Sequence, residues 1–287
     1  MLRQLLQKIE STPALDAVGK KVSGAVSAVV SPTPLKNLLN GVWLGHPAHP
    51  LLTDLPIGSW TSAAVLDVFG GRRASPGADA LIGFGVAAAL PTVATGAADW
   101  VDYNEERVRR VGIVHATANS VALAFYTASL VARRRGRRAT GVALSFVGLG
   151  AVAAGGYLGG HLAYRLASGV DRTTFDDGPH DWQDVLASAS LVEGQPRRVD
   201  AAGVPVVLVA QQGGIRALHA RCSHMGGPLD QGEVDDGCIR CPWHASTFRL
   251  GDGSVARAPA TAPQPVFETR VLDGRVQVRA APGRTAS

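Results

Sequence analysis

The stretch CSHMGGPLDQGEVDDGCIRCPWHAST, Cys222–Thr247, holds all three cysteines of the 287-residue chain and two of its eight histidines. Three thiols within 20 residues and none elsewhere cannot staple a secreted scaffold, so they read as metal ligands. Their arrangement is mixed. Cys222 and His224 lie two apart, Cys241 and His244 three apart, and 16 residues separate the pairs. Structural zinc sites more often group their ligands as Cys-x2-Cys and His-x3-His. The one zinc-like spacing here, Cys238 with Cys241, leaves Cys222 unused. One thiolate and one imidazole from each half suit a two-iron centre in which one metal takes both thiolates and the other both imidazoles.

On these residues the C-terminal part resembles the Rieske-type 2Fe-2S family. Cys222-Ser223-His224 and Cys241-Pro242-Trp243-His244 match its two ligand loops, and Gly226, Gly227 and Pro228 match the turn after the first. The resemblance covers roughly residues 182 to 280. It implies one 2Fe-2S cluster with Cys222 and Cys241 on the inner iron and His224 and His244 on the outer, solvent-facing one. It also implies that Pro259 belongs to a loop covering the cluster. High-potential members carry an extra cysteine in each loop, where this chain has Gly227 and Trp243. Ser246 stands where a hydroxyl stabilises the reduced cluster, whereas Phe248 replaces a tyrosine hydroxyl. A mid-range potential is therefore expected, within the roughly −150 to +300 mV of such centres. Cys238 reads as a strand residue.

Around the ligand loops lie short β-rich runs. VPVVLVA (204–210) and IRALHA (215–220) flank QQGG, and VFETRVL (266–272) and RVQVR (275–279) flank Asp273-Gly274, a two-residue hairpin signal. They predict an all-β domain over 182–281, followed by a tail, 282–287. Upstream, residues 168–181 are short of apolar side chains, carry Gly and Pro, and read as a linker.

The first part of the chain differs in kind. Before residue 171 there are 16 Lys plus Arg against 9 Asp plus Glu, net +7; from there on 12 face 14, net −2. The basic residues cluster between apolar runs, as in membrane loops, and do not form a nucleic-acid-binding face. Residues 111–132 and 139–164 are charge-free runs of the roughly 20 residues a membrane-spanning helix needs. Residues 80–98 make a third run with Pro91 inside it, and 52–70 a fourth that carries Asp54 and Asp67. The expected fold is an α + β multidomain chain: a four-helix transmembrane bundle over 51–167, then the all-β Rieske domain. Residues 1–50 form an amphipathic N-terminal segment and a histidine loop, without a secretory signal. A soluble bundle is the competing architecture, disfavoured by the Gly, Ala and Ser that suit close packing in lipid.

His46 and His49 fall in GHPAHP, His115 near the start of the 111–132 run and His161 near the end of the 139–164 run. If the helices alternate in direction, all four share one membrane face with Asp54 and Asp99. There they could ligate haem b or a metal ion, or simply cap helices and hold water. WLGHPAHPLLTDLPIG together with YLGGHLAYRLASGV resembles an uncharacterised bacterial family of four-helix membrane domains over about residues 35–172. This implies a multi-pass protein of the bacterial cell membrane. The arginines nearly balance across the two faces and leave the side of the Rieske domain open.

The functional expectation is a membrane-anchored carrier passing single electrons between a membrane donor and a partner, with no catalytic residue of its own. The alternative is a quinol oxidoreductase or haem-binding redox subunit that uses the membrane histidines. Only 43 residues follow His244, none of them histidine, so the chain does not supply the mononuclear iron site of a self-contained ring-hydroxylating oxygenase. A zinc-stabilised binding module without redox activity is the third reading.

Overall fold

The computed structural model describes residues 2–281, so the expected 282–287 tail lies outside the described residues. Seven α-helices come first: α1 (Leu2–Glu10), α2 (Ala14–Val30), α3 (Thr33–Asn40), α4 (Ala48–Phe69), α5 (Ser75–Trp100), α6 (Glu106–Arg134) and α7 (Arg138–Gly160). The described residues form two compact units. One runs up to Ser31 and resumes over Pro47–Ser168; the other combines Pro32–His46 with the chain from Gly169 onward.

The helical unit is built on long helices whose sequences are rich in Ala and Gly. Three segments, Arg72–Trp100, Glu106–Arg134 and Arg138–Arg165, are long and apolar enough to cross a membrane. At about 1.5 Å per residue each exceeds the roughly 30 Å of a hydrocarbon core. The fourth expected span exists as helix α4 but falls outside this apolar set: it carries Asp54, which is exposed, and Asp67. Length and composition thus support three spans where the sequence suggested four.

Close packing follows from small residues placed opposite aromatic ones. Trp60 of α4 and Tyr126 of α6 stack with ring centroids 4.1 Å apart and planes 7° from parallel. A Cβ at Gly85 would stand 2.3 Å from Trp60 Nε1, and one at Gly148 would stand 2.9 Å from Tyr126 Cε2, so only glycine admits the stack on both sides. Asp67 is compensated by cations from two other helices. Its carboxylate pairs with the Arg133 guanidinium, including an Nη1–Oδ1 bond of 3.0 Å, and accepts a 2.6 Å bond from Arg138. Arg133 also reaches Asp79 at 2.9 Å, and its Nε donates to Ser129 Oγ at 3.1 Å. The Asp67 and Arg133 side chains are each only 1% exposed.

The short N-terminal helices belong to the same unit. Arg110 of α6 donates to both oxygens of Asp16, at 2.8 and 2.6 Å, and to the Glu10 carbonyl at 2.9 Å. Leu6 is buried against Val111 and Leu158.

The second unit holds ten antiparallel strands: β1 (Gln183–Ala187), β2 (Arg197–Ala201), β3 (Val204–Gln211), β4 (Gly214–His219), β5 (Glu233–Asp235), β6 (Cys238–Arg240), β7 (Thr247–Arg249), β8 (Val255–Arg257), β9 (Val266–Leu272) and β10 (Arg275–Ala280). They form a six-stranded sheet, β1-β10-β9-β4-β3-β2, and a four-stranded sheet, β5-β6-β7-β8. The Asp273-Gly274 turn has φ of 48° and 72°, the paired positive values of a type I′ hairpin. The continuous apolar run of β3 is explained by burial on both faces. Val206 and Leu208 pack with Phe267, Val276 and Val278, while Val207 and Val209 pack with Ile239 and Phe248 of the smaller sheet.

Of the expected linker, 168–181, the residues from Gly169 onward belong to this unit. Arg172 N–H donates to the Ser223 carbonyl (3.3 Å), Ala280 N–H to the Pro179 carbonyl (2.7 Å), and His219 Nε2 meets Asp176 Oδ2 at 3.0 Å.

Removing Asp67 leaves Arg133 and Arg138 with Asp79 as their remaining carboxylate in a buried setting. Asp67→Ala is expected to destabilise the helical unit by about 3–5 kcal/mol, the usual cost of breaking a buried pair. Denaturation of the detergent-solubilised protein followed by tryptophan fluorescence reads the loss; an unchanged midpoint would show that the network contributes nothing.

Candidate metal centre

Cys222 and His224 sit on the loop that follows β4, and Cys241 and His244 on the loop between β6 and β7. Each loop is closed by its own backbone. In the first, Cys222 N–H donates to the Gly227 carbonyl and Gly226 N–H to the Cys222 carbonyl, both at 2.8 Å. In the second, Cys241 N–H donates to the Ser246 carbonyl (2.8 Å) and Ala245 N–H to the Cys241 carbonyl (3.0 Å). Gly226 and Ala245 take positive φ, 78° and 60°, to make these turns. Such tight turns aim the flanking side chains at one point.

The four predicted ligands arrive as two pairs. Cys222 and Cys241 are 1% and 2% exposed and belong to the apolar core that contains Ile239 and Phe248. The His224 and His244 rings face each other edge to face, with centroids 5.1 Å apart. Among the described residues no three of His, Cys, Asp and Glu gather around a single ion. A thiol pair beside an imidazole pair is instead the donor set of a binuclear cluster with two protein ligands per iron. The imidazoles were expected to face solvent. They lie outward of the thiols but are only 8% and 7% exposed, so just their edges reach the surface, beside a half-exposed Trp243.

A hydrogen bond links the two thiols and shifts them in opposite directions. Cys241 is lowered to about 6 by the hydrogen bond from Cys222, against the opposing effect of burial and with help from the backbone N–H groups of Trp243 and His244. Cys222 is raised by that same bond and by burial. Metal binding takes the thiolate form, so loading must displace the proton held between them. Gly227 keeps the space beside them clear. A Cβ there would lie 2.7 Å from Cys241 Sγ and 3.1 Å from Trp243 Cγ.

Two further residues, Gln264 and His219, support the loops from a distance with no local spacing to announce them, and the expected Ser246 joins them. The buried Gln264 accepts Ser223 N–H on its Oε1 (3.0 Å) and donates through Nε2 to the His219 carbonyl (2.7 Å). His219 accepts the Arg221 N–H on Nδ1 (3.0 Å), which leaves Nε2–H to donate to Asp176. Ser246, fully buried, receives Ala260 N–H on its hydroxyl at 3.0 Å. Cys238 lies on β6 opposite Arg249, away from the pairs, as a strand residue.

The membrane-domain histidines divide. His49 and His115 come together with centroids 6.4 Å apart; the Nδ1 of His49 lies 2.9 Å from the Thr92 carbonyl and that of His115 2.8 Å from the Gly155 carbonyl. His161 turns away to Glu10, Nε2 to Oε1 2.8 Å. His46 belongs to the other compact unit.

Residues 181–268 match the family described as the Rieske 2Fe-2S domain, and residues 45–172 match the family described as a predicted membrane protein, DUF2231. The anthranilate 1,2-dioxygenase ferredoxin subunit of Burkholderia cepacia is 32% identical over 98 residues, 34% of this chain and 91% of that one. Ferredoxin CarAc of Metapseudomonas resinovorans is 34% identical over 98 residues, 34% of this chain and 92% of that one. A probable 3-ketosteroid-9-alpha-monooxygenase oxygenase component of Rhodococcus rhodochrous is 38% identical over 91 residues; this chain spans 23% of its length. Among solved structures, a chain from the complex of reduced oxygenase and oxidised ferredoxin in carbazole 1,9a-dioxygenase shares 32% identity with a TM-score of 0.33, covering 35% of this chain and 94% of that one.

Gly227→Ala should exclude the cluster without unfolding the sheets, because the added methyl meets Cys241 Sγ and the Trp243 ring. Iron content of the purified variant should fall well below that of the wild type while circular dichroism keeps its β signature. Full iron loading would refute the crowding argument.

Proposed function

We propose that this chain, which belongs to the Rieske 2Fe-2S family through its C-terminal domain, is a membrane-anchored electron carrier. In this reading the helices of residues 51–167 hold the protein in the bacterial cell membrane as a four-helix bundle, with α4 as its fourth span. Residues 182–281 carry the redox centre, and residues 168–181 join the two. The observation that carries the proposal is the meeting of a buried thiol pair with an outer imidazole pair on two self-closed loops. The family implies a 2Fe-2S cluster and relatives that are ferredoxins, so electron transfer is the activity; the membrane donor and the partner acceptor are the proposed part.

Cys222 and Cys241 are assigned to the inner iron, and His224 and His244 to the outer. When bound, the cluster supplies one-electron chemistry at a potential tuned by the protein. The chain's residues do the rest. The apolar core around the thiols excludes water, the turns fix donor directions, and Ser246 offers a hydroxyl from within. The imidazole edges, the part of the donor set nearest the surface, are the route for the electron.

The second reading, a quinol oxidoreductase or haem-binding subunit, is favoured by one observation. His49 and His115 lie side by side in the helical unit, each with its Nδ1 against a backbone carbonyl. A histidine that donates Nδ1–H in this way keeps Nε2 unprotonated, the form that ligates a metal; at His115 that nitrogen lies 3.1 Å from Asn119 Nδ2, a bond that ligation would have to displace. His161 faces Glu10 and His46 belongs to the other compact unit, so it is the His49–His115 pair that supports this reading.

Purified protein should bleach reversibly on reduction and contain two irons per chain. Cys222→Ser should lose both the visible spectrum and the irons, and retention of both would refute the ligand assignment. Haem absorbance that disappears in His115→Ala would support the second reading; turnover of a quinol analogue would move the chain from carrier to enzyme.

A further inference from the structure

Helix α3 lies far from the redox loops in sequence, yet it is built into the same compact unit. It starts at Thr33-Pro34, where proline suits the first turn, and stops at Gly41, whose φ of 91° only glycine adopts readily. Its Asn37 makes two hydrogen bonds of opposite sense to one short stretch of main chain. Nδ2 donates to the Ala256 carbonyl at 3.0 Å, and Oδ1 accepts Ala258 N–H at 2.9 Å. The neighbouring Arg257 donates to Thr33 Oγ1 at 2.8 Å. β8 is the edge strand of the four-stranded sheet, paired on one side with β7. Its other side presents bare N–H and C=O groups, and the carboxamide meets one of each, as a neighbouring strand would.

That stretch runs directly into the loop of Pro259. Ala258 and Ala260 are buried, and Ala260 N–H donates to Ser246 Oγ at 3.0 Å. Since the Ser246 oxygen accepts there, its own O–H must be donated in another direction. Its carbonyl receives Cys241 N–H, so the residue is locked to the second ligand loop. Asn37, the proline loop, Ser246 and Cys241 thus form one connected hydrogen-bonded path.

We propose that Asn37 is a positioning residue of the redox site. By fixing residues 256–258 it holds Ala260 against Ser246, aims the serine hydroxyl at the cluster, and so raises the reduction potential. The inference rests on the electron-carrier reading above. A residue 222 positions upstream of Pro259 would then tune a centre it does not touch.

The test uses the full-length protein in detergent, with Asn37→Ala, Asn37→Asp, Ser246→Ala and the double variant Asn37→Ala/Ser246→Ala. Iron content is measured first, then the midpoint potential by a titration followed by electron paramagnetic resonance. All variants are expected to hold two irons. Asn37→Ala should shift the one-electron equilibrium toward the oxidised form by roughly tenfold, about 59 mV. Ser246→Ala should shift it the same way, and the double variant should lie no lower than Ser246→Ala alone, since both act through one hydroxyl. Asn37→Asp, which can still accept from Ala258 but cannot donate to Ala256, should shift it less. A fully loaded Asn37→Ala at the wild-type potential overturns the inference and leaves the carrier reading standing. So does full additivity of the two single shifts. If Asn37→Ala does not fold, the Asn37→Asp titration decides, a wild-type potential again overturning it. A wild-type protein without two irons overturns the carrier reading itself, and the inference with it.

Discussion

The Cys222–Cys241 contact is the constraint around which the second unit is arranged. Two thiols, one from the loop after β4 and one from the loop between β6 and β7, must face each other inside an apolar core, where an unpaired ionised thiol would be costly. The fold manages this by satisfying the backbone of each loop locally, through the turns closed at Gly227 and Ser246. The loops can then approach without leaving peptide groups stranded. The core residues that surround the thiols, Ile239 and Phe248, are the same ones that join the two sheets. A disturbance at the ligands is therefore a disturbance of the sheet packing, which ties the stability of this unit to its metal chemistry.

The helical unit solves a different problem with the same logic. Asp67 and Arg133 are as buried as the thiols, and neither could stand alone in a bundle of this apolarity. Asp79 and Arg138 complete a group of two carboxylates and two guanidiniums, neutral as a whole. The arginines that read as loop charge in RRRGRR split in function: Arg133 points inward to the network, Arg138 closes it from its rim. A count of basic residues per loop treats them alike, and such counts weaken as a guide to orientation when part of the charge is spent inside the bundle.

What the sequence made legible was whatever repeats locally. The Cys-x-His and Cys-x-x-His spacings, the Asp-Gly hairpin and the charge-free helical runs all depend on neighbours within a few residues, and each reappears in the structure. The supporting shell depends on partners far along the chain. Gln264 reaches back 41 residues to Ser223, Glu10 holds His161 across 151, and Asn37 meets Ala258 across 221. No periodicity encodes such pairs. The histidine convergence was inferred from helix direction alone, which places side chains at one end of a bundle but does not say which way they turn. That is why His49 and His115 met while His161 went to a carboxylate. The fourth span stays outside the apolar set for a related reason: Asp67 finds its cations far along the chain, while Asp54 is exposed.

The two matched families tile the chain almost end to end, as if a cluster domain had been appended to a membrane domain. The compact units are cut differently. Residues 181–268 carry the family match, yet the unit that contains them also claims Pro32–His46, from before the membrane-protein match begins. The chain consequently passes between the units three times, near residues 31, 46 and 168. Residues 32–46 and 169–181 also end on different redox loops, the first on the stretch leading to Pro259 and the second on Ser223 beside the ligands. The ligand loops are thus supported on both flanks by chain that lies before residue 181, outside the family match.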